Sequence, residues 1–263
     1  MTHIARKRFG QNFLHDQNII YNILAHARPI AGEHWLEIGP GLGALTKPLL
    51  ETQVKLDVVE LDRDLVKILQ QKFGHHPNLT IHCKDALNFD CSELVENREK
   101  LRVIGNLPYN ISTPLMFHLL ENALNIRDMH FMLQKEVVER MCAHPGGKTY
   151  GRLSVMTQYY CTTEYLFDVP PESFEPAPKV TSAVVRLCPR TEAPVVIKDL
   201  PSFKELVTQA FSQRRKTIRN SLKNLITEQQ IQALSIDPSI RAESLSLEQF
   251  ALLNQHANLV KNA

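Results

Sequence analysis

The spacing of its apolar runs constrains this chain most. Five short runs rich in apolar and β-branched residues, His34–Ile38, Leu56–Glu60, Leu79–Cys83, Leu101–Ile104 and Met129–Leu133, recur about every 20 residues, with longer helical stretches between them. Strands separated by a helix-length connection rejoin one sheet in parallel, so the spacing predicts an α/β chain with a parallel, doubly wound sheet. Two further runs, Tyr165–Val169 and Ser182–Leu187, are joined by a proline-bearing loop too short for a crossover helix. They are expected to pair antiparallel at one edge.

Seven of the fifteen prolines lie between Pro170 and Pro201, marking a loop and then a linker. Beyond it the pattern is helical: Phe203, Leu206, Val207, Ala210 and Phe211, then Ile218, Leu222, Leu225 and Ile226, then Leu245 to Leu253. The expected organisation is therefore a sheet domain over residues 1–192 and a small all-α domain over residues 193–263.

Composition narrows the class. A formal charge of +2 with 43% hydrophobic residues excludes general disorder. No apolar run approaches the roughly 20 residues of a spanning helix, and Met1–Arg8 lacks the apolar stretch of a secretory signal. A soluble cytoplasmic protein with no membrane partner is expected. The five cysteines, Cys83, Cys91, Cys142, Cys161 and Cys188, are odd in number and show no CxxC spacing, so they read as buried small hydrophobes. No HExxH or His–carboxylate spacing suggests a metal, and none is expected.

The first strand runs into Glu37-Ile38-Gly39-Pro40-Gly41-Leu42-Gly43-Ala44. Glycines at a strand-to-helix turn let backbone approach a ligand, and Gly39, Gly41 and Ala44 satisfy GxGxxG/A. Glu60 ends the second strand, where a carboxylate can accept both ribose hydroxyls. Asp85 ends the third, at the height of a purine amino group. Either acid alone could be a solvated loop residue or a helix cap. Together with the glycine loop they indicate an adenosine site, and at this step a nicotinamide dehydrogenase stays open.

Asn106-Leu107-Pro108-Tyr109 follows the fourth strand. Pro108 carries no amide hydrogen and biases Leu107 toward an extended backbone, leaving the Leu107 carbonyl available as an acceptor. The Asn106 side-chain oxygen is a second, uncharged acceptor. Two acceptors facing one point suit an amino group with two hydrogens. Pulling both hydrogens from the ring plane pyramidalises an adenine amino nitrogen and frees its lone pair for an electrophile. Tyr109 would stack on the base. The alkylated nitrogen is acidic, so no general base is required. The competing reading is an ordinary strand-to-helix turn with a packing aromatic.

With these residues in place, the sequence resembles the ribosomal RNA adenine dimethyltransferase family, in particular its bacterial small-subunit branch associated with kasugamycin resistance. The matching segments are Arg8–Leu14, Glu37–Gly43, Glu60–Asp62, Asn106–Ser112, Phe174–Val180 and Phe211–Lys216, spread over nearly the whole chain. The resemblance implies a Rossmann-like class I methyltransferase sheet and S-adenosylmethionine as cofactor. It implies cofactor-binding roles for Asn12, Leu14, Gly39, Gly41, Glu60, Leu61, Asp85, Ala86 and Asn106. It implies reaction-centre roles for Asn106, Leu107, Pro108, Tyr109 and Phe174, with Phe174 stacking near the target base. From the residues alone, Phe174 reads as a core aromatic under a proline loop.

Between Phe203 and Lys223 there are six basic residues and one acid. Gathered on one face, such charge attracts phosphate even in a nearly neutral protein. Lys216, Arg219 and Lys223 have the spacing of one helical face, and Arg214 and Arg215 precede them; the alternative is a solvated polar face. The resemblance makes all five RNA-binding residues and implies the small ribosomal subunit or its precursor, through 16S rRNA, as partner of a monomeric enzyme. It implies methyl transfer to N6 of two adjacent adenosines, twice each. The rival readings are a large-subunit enzyme of the macrolide-resistance type, and a ribosome assembly factor with secondary catalysis. Trp35, the only indole, is expected beside the cofactor pocket.

Overall fold

The computed structural model describes residues 11–95, 99–108, 111–121 and 123–261. Two compact units divide the chain: residues up to Val138 with Thr163–Pro189, and Glu139–Thr162 with the residues from Arg190 onward.

Among the described residues the first unit holds nine strands and four helices: β1 (Phe13–Leu14), α1 (Gln17–Ala27), β2 (His34–Ile38), α2 (Thr46–Glu51), β3 (Lys55–Glu60), α3 (Arg63–Phe73), β4 (Leu79–Cys83), β5 (Leu101–Asn106), α4 (Ser112–Glu121), β6 (Ile126–Gln134), β7 (Cys161–Val169, its first two residues falling in the second unit), β8 (Phe174–Glu175) and β9 (Ser182–Pro189). Seven strands form one sheet in the order β4-β3-β2-β5-β6-β9-β7, and β1 pairs with β8. Pairing is parallel from β4 through β6 and antiparallel between β6 and β9. The five expected parallel strands thus lie side by side, and the two late runs sit together at one edge. Because neighbours are parallel, Ile38, Glu60, Cys83 and Asn106 all end at the same edge of the sheet.

Helix α1 buries Ile19, Ile20, Ile23 and Ala27 against Trp35, Leu56, Val58, Ile104 and Met132. Burying each large aliphatic side chain is worth about 1.5–3 kcal/mol. Asp16 caps the start of α1 by accepting from the Asn18 and Ile19 amides. At its other end Arg28 turns left-handed (φ 48°), and Arg102 donates to the Ala27 and Arg28 carbonyls at 2.6 and 3.2 Å. A cation there complements the helix dipole. Arg102 also pairs with Asp128 at 2.7 Å and lies 4.2 Å from the centre of the Trp35 ring. Burial opposes ionisation of Asp128, yet the bonds from Arg102 hold its carboxyl below the usual range. Trp35 is wholly buried there, near the amino end of β2, and does not line the cavity described below.

His130, on β6, is 1% exposed, and among the described residues neither ring nitrogen has a hydrogen-bond partner. Burial, reinforced by the Arg102 and Arg186 charges against the attraction of Asp128, pushes its pKa down to about 4.

In the second unit α5 (Lys135–Cys142) straddles the boundary and is followed by α6 (Arg152–Tyr160), α7 (Leu200–Ala210), α8 (Ile218–Ser221), α9 (Glu228–Ala233) and α10 (Leu247–Lys261). Phe203, Leu206, Val207, Ile218, Leu222, Ile231, Phe250 and Leu253 form its buried interior. The expected boundary at residue 193 misses a part, since Glu139–Thr162 belongs with this unit. The Tyr159 ring lies 5.8 Å from Phe203, and the Arg190 amide donates to the Tyr160 carbonyl. Nothing local in the 139–162 sequence shows that its apolar side is completed by residues past 199.

Two local expectations are also corrected. Helix α8 covers only Ile218–Ser221, so Lys216, Arg219 and Lys223 do not share one continuous helical face. The chain instead bridges Thr217 to Arg241, and the Ile218 amide donates to the Ile240 carbonyl. Cys83, expected to be buried, is exposed at the end of β4, whereas Cys91 and Cys161 are buried. Among the described residues, no helix is long and apolar enough to cross a membrane and no group of side chains is arranged to hold a metal ion.

Candidate active site

A cavity of about 280 Å³ opens at the carboxyl edge of the sheet, walled entirely by the first unit. Its lining brings together Asn12 and Leu14, Gly39 and Gly41, Glu60 and Leu61, Asp85 and Ala86, and Asn106, Leu107 and Pro108. These residues span almost a hundred positions; the parallel register gathers those from Gly39 to Pro108, because each closes a strand or lies in the turn after it, and Asn12 and Leu14 join them from the residue before β1 and from β1 itself.

The glycine turn needs its glycines. Gly41 has φ 58°, and a Cβ there would stand 3.1 Å from the Phe13 ring. Its amide donates to Glu60 Oε2 at 3.3 Å. The other oxygen, Oε1, accepts from the Asp62 amide at 2.9 Å. Burial raises the Glu60 pKa, and these two amide bonds pull against it. Asp85 accepts from the Leu87 amide at 3.0 Å, so it caps the short 3-10 turn at Ala86–Asn88 while also lining the cavity.

At the other wall, the Leu107 amide donates to the Met132 carbonyl, which pins the turn after β5 to β6. Gly105 is required beneath it, since a Cβ there would come within 2.5 Å of the Ile38 carbonyl oxygen. Asn106 Nδ2 donates to the Asn12 carbonyl at 2.9 Å, which leaves Asn106 Oδ1 on the opposite branch of the amide. Among the described residues none donates to the Leu107 carbonyl.

Tyr109 and Asn110 lie outside the described residues, as do Arg8, Phe9 and Gly10 of the first matching segment. Phe174 does not line the cavity. Its ring is 2% exposed in the core beside Leu14, with which it pairs across β1 and β8. A large ring gains more from that packing than from a polar opening. Arg214, Arg215, Lys216, Arg219 and Lys223 are all exposed in the second unit. Arg214 donates to the Lys148 carbonyl, and Arg219 pairs with Glu228 at 3.2 Å.

The model of the family described as ribosomal RNA adenine dimethylase matches residues 2–258. The chain belongs to the ribosomal RNA adenine dimethylase family. Among its dimethylase relatives, ribosomal RNA small subunit methyltransferase A of Pseudomonas aeruginosa is 56% identical over 99% of this chain and 97% of its own length. The Pseudomonas putida protein of that name is 57% identical over 95% of this chain and 94% of its own. Of solved structures, a dimethyladenosine transferase from Plasmodium falciparum superposes with a TM-score of 0.79 at 24% identity, covering 94% of this chain and 98% of that one, a likeness of fold. The 23S rRNA methyltransferase ErmE superposes with 0.73 at 26% identity, over 94% and 100%. Membership of the dimethylase family removes the nicotinamide dehydrogenase reading.

The cavity residues of this dimethylase to which sequence reasoning gave no role include Gln11, Phe13, Glu37 and Lys84. Glu37 is fully buried, takes a 2.6 Å bond from Thr46 Oγ1, and has its pKa pushed up to about 8 by burial, with the Glu60 charge adding to the rise. Its place two residues before Gly39, at the end of a strand, was the available signal.

Replacing Gly41 by alanine tests the turn. The left-handed backbone costs a non-glycine residue about 1–2 kcal/mol, and the methyl group must push Phe13 aside. Urea unfolding followed by Trp35 fluorescence is expected to show that loss, and calorimetric titration a weaker affinity for S-adenosylmethionine. If both stay at wild-type values, the turn is not the tight cradle described.

Proposed function

We infer that the chain transfers methyl groups from S-adenosylmethionine to the exocyclic N6 of two adjacent adenosines in small-subunit (16S) ribosomal RNA, giving N6,N6-dimethyladenosine. The observation that carries this reading is the 56% identity, over 99% of the chain, to a protein named for the small ribosomal subunit. The 26% identity to ErmE makes the large-subunit alternative weaker.

The residues present fit the cofactor. A glycine turn walls the cavity at one side, and the Glu60 carboxylate stands at the strand end where a ribose is held. When bound, S-adenosylmethionine supplies a methyl group made electrophilic by its sulfonium sulfur. Glu60 would hold the ribose, Leu61 and Ala86 would flank the purine, and Asp85 would accept from its amino group. Asn12, Leu14, Gly39 and Gly41 would close around the methionine portion.

Asn106 Oδ1 and the Leu107 carbonyl would each accept one hydrogen of the target amino group, drawing its lone pair out of the ring. Tyr109 would stack on the target base. Pro108 holds the preceding Leu107 in an extended backbone, which keeps the Leu107 carbonyl out of a helical hydrogen bond. Once alkylated, the amino nitrogen is acidic and gives its proton to water. Alignment of the nitrogen against the methyl carbon supplies most of the rate gain. Since one unit walls the cavity completely, a monomer is sufficient for the chemistry.

Tritiated S-adenosylmethionine and purified, undermethylated ribosomal subunits test the reading. Label is expected in the small subunit alone, recovered after digestion as N6,N6-dimethyladenosine. Label confined to the large subunit would establish the ErmE-like alternative instead. The exposed basic run makes a separate prediction: replacing Arg214, Arg215 and Lys216 by alanine weakens small-subunit binding. It also flattens the plot of log affinity against log salt by roughly 2 units of slope, the loss of about three phosphate contacts. An unchanged slope takes these residues out of the interface.

A further inference from the structure

The segment entering β1 forms a strap between two parts of the site. Gln11 Nε2 donates to Asp62 Oδ2 at 3.1 Å. The next residue, Asn12, accepts from Asn106 Nδ2 at 2.9 Å. Phe13 rests against Gly41. Beyond it β1 pairs with β8, and the His15 amide donates to the Ser173 carbonyl at 3.0 Å. The strap is thus anchored on both sides of Asn12.

Asp62 is a junction. Its amide donates to Glu60 Oε1, its Oδ1 accepts from the Asp64 amide and caps α3, and its Oδ2 takes Gln11. The ribose-facing carboxylate and the strap therefore meet at one buried residue.

A primary amide presents an oxygen on one branch and a nitrogen on the other. With Nδ2 on the Asn12 carbonyl, the Asn106 oxygen faces the other way. A flip would set two oxygens against each other. The orientation of Asn106 thus depends on where Asn12 is held, and Gln11 is the covalent neighbour that ties that place to Asp62.

We propose that Gln11 is a positioning residue for methyl transfer: by latching to Asp62 it keeps the Asn12 carbonyl on Asn106 Nδ2 and so aims Asn106 Oδ1 at the target amino group. This rests on the adenine N6 reading above, and it adds a coupling, because the same Asp62 steadies the acid expected to hold the ribose.

The test is a reciprocal exchange. Gln11→Glu sets two carboxylates about 3 Å apart, which cannot both stay ionised at that distance. At pH 8 the strap is expected to lift and kcat on small subunits to fall roughly 10- to 100-fold, the scale of an ångström-size misplacement. Lowering the pH lets the pair share a proton, so the kcat profile of Gln11→Glu gains a recovery on the acid side that the wild type lacks. Gln11→Glu combined with Asp62→Asn restores kcat at pH 8. Asparagine still caps α3 and now donates to the new carboxylate. Without cofactor, the Asn106 carboxamide signals, identified by their loss in Asn106→Ala, are expected to include one proton shifted downfield by the bond to the Asn12 carbonyl in 15N-labelled wild type, and that proton is expected to return to the ordinary carboxamide position in Gln11→Glu.

Wild-type kcat for Gln11→Glu at pH 8 overturns the proposal. So does a double variant as impaired as the single one, or an unmoved Asn106 signal. An inactive wild type overturns the methyl-transfer reading itself and the latch with it, whereas an active wild type with an unaffected Gln11→Glu overturns the latch alone.

Discussion

Asn106→Ala is expected to lower kcat for methyl transfer by about 10²- to 10³-fold, the range seen when one group aimed at developing charge is removed. The variant should remain folded. Asn106 is part-exposed, and its side chain is joined to the Asn12 carbonyl by one bond, worth about 1 kcal/mol and replaceable by water. The loss is therefore chemical: the target amino group keeps one acceptor, the Leu107 carbonyl, and its lone pair stays conjugated with the ring. The check is single-turnover transfer to small subunits, alongside a melting curve. A folded variant with the wild-type rate removes Asn106 from the reaction.

The second large effect is on stability. Burial puts the Glu37 carboxyl at about 8 in the folded chain, against an ordinary 4.5. As pH rises, the unfolded chain releases that proton first, so stability falls between pH 4.5 and 8. His130 acts at the other end. At about 4 when folded and 6.5 otherwise, it is protonated first in the unfolded chain, so stability falls as pH drops from 6.5 to 4. Each contributes a slope of about 1.4 kcal/mol per pH unit, and between pH 4.5 and 6.5 the two oppose each other.

The first unit should therefore show a plateau there and lose roughly 2 kcal/mol from pH 6.5 to 8. Glu37→Gln should remove most of the alkaline loss, since glutamine still accepts from Thr46 Oγ1 and has no proton to release, leaving the smaller part due to Glu60, whose carboxyl is also raised by burial. Urea unfolding read from Trp35, buried within that unit, measures both curves. An alkaline fall that persists undiminished in Glu37→Gln would show that Glu37 is not its source.

The sheet and the residues at its edge were legible because both are written locally. Alternating strand and helix periods demand a parallel order, and that order brings strand ends together whatever the details of packing. Gly39, Glu60, Asp85 and Asn106 could thus be placed in one crevice from position alone, and all four line the same cavity. Phe174 shows the limit. A proline-flanked aromatic reads alike whether it caps a site or fills a core, and the pairing of Phe174 with Leu14 sends it inward. Residues 139–162 show the same limit, because their partners come from past residue 199.

By itself, then, the sequence determined the parallel strands with their antiparallel edge, the glycine turn and the row of acceptors at the carboxyl edge, since periodicity and turn residues act over a few positions. Only the tertiary structure decided how those groups are poised. The proton on Glu37 depends on burial and on Glu60. The direction of the Asn106 amide depends on a carbonyl 94 residues away. The place of Phe174 depends on a strand pairing across 160 positions. Desolvation, charge and hydrogen-bond direction belong to neighbours in space, and the linear order of residues does not contain them.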